Sequence, residues 1–191
     1  KLKRAQKLLA VQQDACRANI RHLESIEASL DSSTRLAEIA EIQEELIASG
    51  YLHEKMPKKN KDRRAQPFSF TAPDGMTILV GKNNMQNDAL TFRTAAPTDL
   101  WLHVRDIPGS HVILRTGGAA PSEETLHLAA QIAAHFSKAR GSSTVPVDYT
   151  AIRFVKKPSG AVPGFVRFTH EKTLFVTEDE EALAPILAQD P

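Results

Sequence analysis

The chain has 191 residues and a mass of 21.0 kDa, with 41% hydrophobic and 25% charged residues. That composition suits one globular domain with an appendage, or two small ones, and excludes a wholly disordered, collagenous or low-complexity chain. The net charge of +1 conceals an asymmetry, since residues 53–66 hold six Lys/Arg against two Asp/Glu and residues 171–191 hold one against six.

In chain order, Leu2, Leu9, Cys16, Leu23 and Leu30 recur every seven residues, a spacing that keeps one helical stripe against a partner. A second seam, Ala5, Gln12, Asn19 and Ile26, is half polar. Residues 1–31 lack proline and glycine, so one helix of roughly 45 Å at about 1.5 Å per residue is predicted. This charged helical opening is not a signal peptide, and a chain starting at Lys1 is expected to be part of a longer one. The single cysteine, Cys16, excludes an internal disulfide and a Cys-based zinc site, which points to a cytoplasmic setting. Asp31-Ser32-Ser33-Thr34 supplies turn and cap chemistry. A second run follows with Leu36, Ile39, Ala40, Leu46 and Ile47 on one face, ending at Ser49-Gly50. An antiparallel helical hairpin over 1–54, a coiled-coil arm, is the expectation. Residues 55–66, with Lys58, Lys59, Lys61, Arg63 and Arg64, have no periodicity and read as a basic linker able to touch phosphate.

From residue 67 to 191 a second unit is expected. β-rich runs fall at 68–72, 76–80, 89–93, 99–105, 111–115, 145–155, 162–168 and 173–177, with Pro73-Asp74-Gly75 as a hairpin turn. One helix starts at Pro121-Ser122, buries Leu126, Ala129, Ala133 and Phe136, and closes at Arg140-Gly141. A weaker one covers 178–188 despite Pro185. Consecutive strands with few helices between them predict an α+β fold with a mainly antiparallel sheet. No run approaches the roughly 18–20 apolar residues of a membrane span, so no membrane contact is expected.

Phosphate-loop, dinucleotide and nucleophile-elbow motifs are absent. Ser110 and His111 are adjacent on extended backbone and point apart, which disfavours a catalytic dyad. Asp99, His103 and His111 match no familiar ligand spacing, so no metal or other cofactor, no small-molecule substrate and no catalysis are expected. What remains is polar and aromatic. Alternation over Asp99–Arg105 places Asp99, Trp101, His103 and Arg105 on one strand face. Two readings stay open: the side chains stack on a base and pair with phosphate, or Trp101 caps a small core while Asp99 or His103 satisfies turn amides. Asn83, Asn84, Gln86, Asn87 and Asp88 cap a turn or contact a ligand, and Lys82 beside them is a candidate nucleic-acid contact. Lys156 and Lys157, in a Pro-Ser-Gly turn, and Lys138 and Arg140, at a helix end, are further candidate phosphate contacts.

The blocks Val80-Gly81-Lys82-Asn83-Asn84-Met85-Gln86-Asn87-Asp88 and Asp99-Leu100-Trp101-Leu102-His103-Val104-Arg105-Asp106-Ile107-Pro108-Gly109-Ser110-His111-Val112 resemble the signature of the NFACT-R domain. Ser137–Arg140, Val147–Thr150, Lys156–Gly160 and Pro163–Val166 continue it, and Lys1–Ala5 and Glu41–Leu46 resemble the same family's coiled-coil arm. Ala161-Val162 stand where relatives often carry a lysine. The resemblance is to the NFACT family of ribosome quality control factors, related to NEMF and long labelled fibronectin-binding. It implies binding to obstructed large ribosomal subunits (rRNA and stalk-base proteins) and recruitment of tRNA, expected to be alanyl-tRNA, for alanine tailing without mRNA. On the same ground Ser110 and His111 join the candidate RNA contacts. The family's N-terminal domains are outside this sequence. A free-standing RNA-binding module and a surface adhesin are the alternatives.

Overall fold

A computed structural model describes residues 2–55 and 65–189; the basic linker expected at 55–66 therefore lies, over residues 56–64, outside the described residues. The proline-free opening forms one helix, α1 (Leu2–Asp31), and a four-residue turn leads to α2 (Leu36–Ala48). The Glu38 carboxylate closes that turn by accepting from the Thr34 and Arg35 amides at 2.9 and 3.2 Å, which satisfies donors a helix start leaves open. At the other end Gly50 takes φ +79° while the Tyr51 and Leu52 amides return to the Leu46 carbonyl, a glycine-terminated stop.

Because α2 is less than half as long as α1, residues 2–21 of α1 are exposed on every side. This corrects the expected seam. Leu2, Leu9, Cys16, Leu23 and Leu30 all face water, and the buried residues of α1 are His22 and Ile26. On α2 the buried line is Glu38, Ile42 and Glu45; Leu36, Ile39 and Ala40 point outward, and Leu46 and Ile47 are half-buried. The inner face of the hairpin meets a polar segment, so it is built from hydrogen-bonding side chains that an apolar pattern does not mark.

Beyond residue 65 lie β1 (Phe68–Thr71), β2 (Thr77–Val80), β3 (Leu100–Val104), β4 (Val112–Arg115), β5 (Val145–Ala151), β6 (Val155–Lys156), β7 (Arg167–Phe168) and β8 (Lys172–Val176). They interleave with α3 (Asn84–Ala89), α4 (Glu123–His135) and α5 (Glu180–Leu187). Six strands form one antiparallel sheet in the order β1-β2-β4-β3-β5-β8, while β6 and β7 pair as a separate ribbon. The class is α+β, as expected. Pro73-Asp74-Gly75 makes the first hairpin, with Gly75 at φ +85° and the Asp74 carboxylate accepting from the Met76 amide.

Strand alternation divides the core in two. Leu102, Val104, Val112, Leu114 and Val147 pack with Ala129, Ile132 and Ala133 of α4 and Leu183 of α5. Trp101 and Ile113 face the other way, onto Leu90, Ile152 and Val155. Two predicted strands change. Residues 89–93 are helical, since α3 continues as a π-helical turn over Leu90–Thr94. The Asn83 side chain caps α3 by accepting from the Gln86 amide at 2.9 Å, and that nucleus outweighs the strand propensity of the run after it. Of residues 162–168 only Arg167 and Phe168 are extended in a ladder. The helix predicted from Pro121 runs 123–135 with Ser122 as its cap, and α5 passes through Pro185. No described helix is long and apolar enough to cross a membrane.

Candidate nucleic-acid interface

The start of α3 and the two residues before it pack against the helical hairpin, with Lys82, Asn83, Asn84, Gln86 and Asn87 buried. Lys82 Nζ lies 3.0 Å from the Glu38 carboxylate and 3.9 Å from the centre of the Phe68 ring. Asn83 and Gln86 donate to Glu41 at 2.7 and 2.8 Å. Asn84 donates to Glu45 at 2.9 Å and to Ser25 at 2.8 Å, and His22 meets the same Glu45 oxygen at 2.9 Å. Lys82, Asn83 and Asn84, expected as RNA contacts, are thus placed at the junction with the hairpin, where their side chains bond to Glu38, Glu41 and Glu45. Burial raises the Glu38 pKa, but the Thr34 and Arg35 amides and the Lys82 ammonium outweigh it and hold the carboxyl below its usual range. The carboxylates Glu38, Glu41 and Glu45 lie three and four residues apart, one helix face, and that acidic stripe is the sequence signal for the junction.

Beside this junction a cleft of about 520 Å³ opens between α1 and the sheet. It gathers six of the predicted residues, Asn84, Asn87, Trp101, His103, Arg105 and His111, with Arg21 of α1 and Phe165, which the sequence did not single out. Trp101 and His103 stack with ring centres 5.6 Å apart, and His111 meets Trp101 edge-on at 5.2 Å. The turn between the two histidines is pinned to the end of α4, where a Cβ on Gly109 would fall 2.7 Å from the Cβ of Ser137. Gly164, at φ +76°, passes so near Asn84 that a Cβ would lie 2.7 Å from its side-chain oxygen. The Ser110 amide donates to the Phe136 carbonyl, part of the same pinning.

Burial depresses both imidazoles. His111 is pushed down to about 3, by burial first and by nearby His103 second, against hydrogen bonds at the Gly164 and Asn87 backbones. Its Nδ1 lies 2.8 Å from the Thr91 hydroxyl, and its amide donates to Asn87. His103, half-buried in the cleft wall, is lowered by burial against the opposing pull of Gly109, Val104, Asp148 and Asp106. Both rings are therefore neutral at pH 7. Arg105 is fork-bonded to Asp148 at 3.0 and 2.6 Å and also donates to Thr173. That carboxylate raises its pKa further.

The two open readings of the strand face are now separated. Trp101 is 1% exposed inside the second core cluster, so it cannot offer a ring face to a base. Asp99 is also buried, accepting from the Ala96 and Thr116 amides at 2.8 and 3.1 Å and pairing with Arg115. Both are structural. Asp99 thus stands apart from His103 and His111, and among the described residues no cluster of three His, Cys, Asp or Glu side chains is placed to hold a metal. On the outer surface Lys138 pairs with Glu27 of α1 and Lys157 with Asp88 at 2.7 Å. Arg140 is exposed with its charge near Glu178, whose carboxyl it helps to hold low, and Lys156 is exposed with no ion pair among the described residues.

Residues 66–168 match the NFACT protein RNA binding domain, and residues 1–65 match the NFACT N-terminal and middle domains. The Rqc2 homolog RqcH of Bacillus subtilis (strain 168) is 51% identical over 155 residues, covering 80% of this chain and 27% of that protein. The homolog of the same name from Streptococcus suis is 46% identical, covering 96% of this chain and 33% of its own length. The solved C-terminal part of the fibronectin/fibrinogen-binding protein from Streptococcus suis superposes with a TM-score of 0.88 at 44% identity, over 97% of this chain and 74% of that one. The chain belongs to the NFACT family. It spans about a third of the length of the curated relatives it matches.

Proposed function

We propose that this chain is the arm and RNA-binding module of a cytoplasmic ribosome quality control factor. In this reading it engages obstructed large ribosomal subunits, at rRNA and the stalk base, and helps hold tRNA, alanyl-tRNA above all, for mRNA-independent alanine tailing. The peptide bond is made by the ribosome, so the chain acts as a scaffold and not as a catalyst. The observation that carries the RNA reading is the ribbon β6–β7, where Lys156 stands directly opposite Arg167 with both side chains exposed. Like charges facing each other across a ladder destabilise the free protein, and a polyanion relieves that repulsion.

The experiment is a titration of labelled tRNA and of purified large subunits with the 191-residue chain, wild type and Lys156→Gln/Arg167→Gln. Binding that weakens in the variant, with a salt slope reduced by about 0.7–0.9 per lost phosphate contact, supports the reading. A chain that captures fibronectin and ignores both RNAs overturns it.

A further inference from the structure

The like-charged ribbon belongs to a wider basic surface, on which Arg153, Phe154 and His170 carry no sequence motif. Residues 150–172 hold five Lys/Arg against one acid, Glu171. Within them the chain leaves β5 through a 3-10 turn, Ile152–Phe154, and returns by β7 to a tight bend at His170. The Phe154 and His170 rings stack with centres 4.2 Å apart and planes at 22°. The Arg153 guanidinium carbon lies 5.0 Å from the centre of the Phe154 ring. Phe154 is half-buried, while His170, Arg153, Lys156 and Arg167 are exposed.

His170 also takes φ +58°, a left-handed conformation that non-glycine residues rarely adopt. The bend is held because the preceding Thr169 carbonyl accepts from the Thr150 hydroxyl at 2.9 Å. An imidazole is thus kept flat on a phenyl ring at the surface, with three cations on the same two segments. Arg153, Lys156 and Arg167 have no acidic partner among the described residues, unlike Lys138, Lys157 and Arg105.

We propose that Phe154–His170 is a stacking platform for an unpaired base of RNA, and that Arg153, Lys156 and Arg167 hold the phosphates on either side of it. This rests on the RNA reading above and adds the strandedness of the RNA. A base offers its ring face only when it is unpaired, whereas a duplex presents phosphates and ribose. Cations alone would suit either RNA or an anionic lipid surface; a rigid stacked pair among them suits a base.

The test measures anisotropy of a labelled ten-nucleotide single strand and of a twenty-base-pair RNA duplex with the 191-residue chain, alongside vesicles of phosphatidylserine and phosphatidylcholine. His170→Ala removes an exposed ring, and the melting temperature of each variant is recorded. The expected result is a loss of single-strand affinity by about 5- to 150-fold, the worth of one stacked base, with duplex affinity unchanged. Lys156→Gln should weaken single strand and duplex together. Phe154→Tyr, which keeps the ring, should retain single-strand binding. Single-strand affinity indifferent to His170→Ala overturns the platform and leaves the RNA reading standing. Binding to neither RNA, or to vesicles alone, overturns both.

Discussion

Trp101 on β3 and His170 in the bend before β8 are two aromatic rings in opposite surroundings, one buried and one exposed. Trp101 sits 1% exposed among Leu90, Ile113, Ile152 and Val155, so Trp101→Ala should cost about 3–5 kcal/mol of stability by emptying that cluster. Denaturant unfolding checks this, and RNA affinity per folded molecule should stay the same. His111 adds a pH dependence whose sign follows from its lowered pKa. The unfolded chain takes up a proton near pH 6.5 while the folded ring resists it to about 3, so stability falls on acidification. Between pH 7 and pH 5 the His111 share should be about 2 kcal/mol, at 1.36 kcal/mol for each pH unit below the unfolded value. His111→Asn, which keeps an acceptor near Thr91, should remove that share. Urea midpoints at the two pH values measure it.

At the scale of elements, the hairpin is joined to the sheet by ion pairs and amides around a small apolar centre of Ile26 and Ile42. A buried charge that loses its partner is costly, so Lys82→Met should destabilise the junction by about 3–5 kcal/mol, and adding Glu38→Gln should recover part of it. Glu38 is held below its ordinary pKa, so its contribution is present above about pH 4.5 and is lost as the pH falls through its folded value. The apolar stripe carries a different expectation. Leu23 is 42% exposed, so Leu23→Ala should change stability by less than about 0.5 kcal/mol. Ile26→Ala, at 5% exposure, should cost about 2–5 kcal/mol. Circular dichroism melts of the two variants decide which stripe packs.

For the molecule as a whole, one long helix has two environments. Residues 2–21 of α1 have no neighbour among the described residues that buries them, while residues 22–29 include the docked turn around His22 and Ile26. Isolated helices in water are marginal, so amides before residue 20 should exchange within the time of helix fraying. Amides near Ile26 should be protected to the stability of the junction. Hydrogen exchange read by mass spectrometry separates the two halves; uniform protection along α1 would contradict the division.

Length, propensity and local pattern sufficed for the helices, most strands, the Pro73-Asp74-Gly75 turn and the alternation that sends Trp101 and His103 one way and Leu102 and Val104 the other. These depend on neighbours in sequence, and a sequence carries them directly. Which stripe of α1 packs, and whether the Trp101 face meets water or a second core, depend on what lies across the fold. Leu23 and Ile26 look equally apolar; the short reach of α2 and the Lys82–Asn87 segment decide between them. The same holds for the site. The clustered asparagines and Lys82 read as ligand contacts until the glutamates of α2 are brought against them from some forty residues away. Phe154 and His170 carry no local motif, because a stacked pair sixteen residues apart exists only once β5, the ribbon and the bend at Thr169 have been folded together. Chemistry that needs two segments at one place is settled by tertiary contact, since period and composition record only the contacts within one.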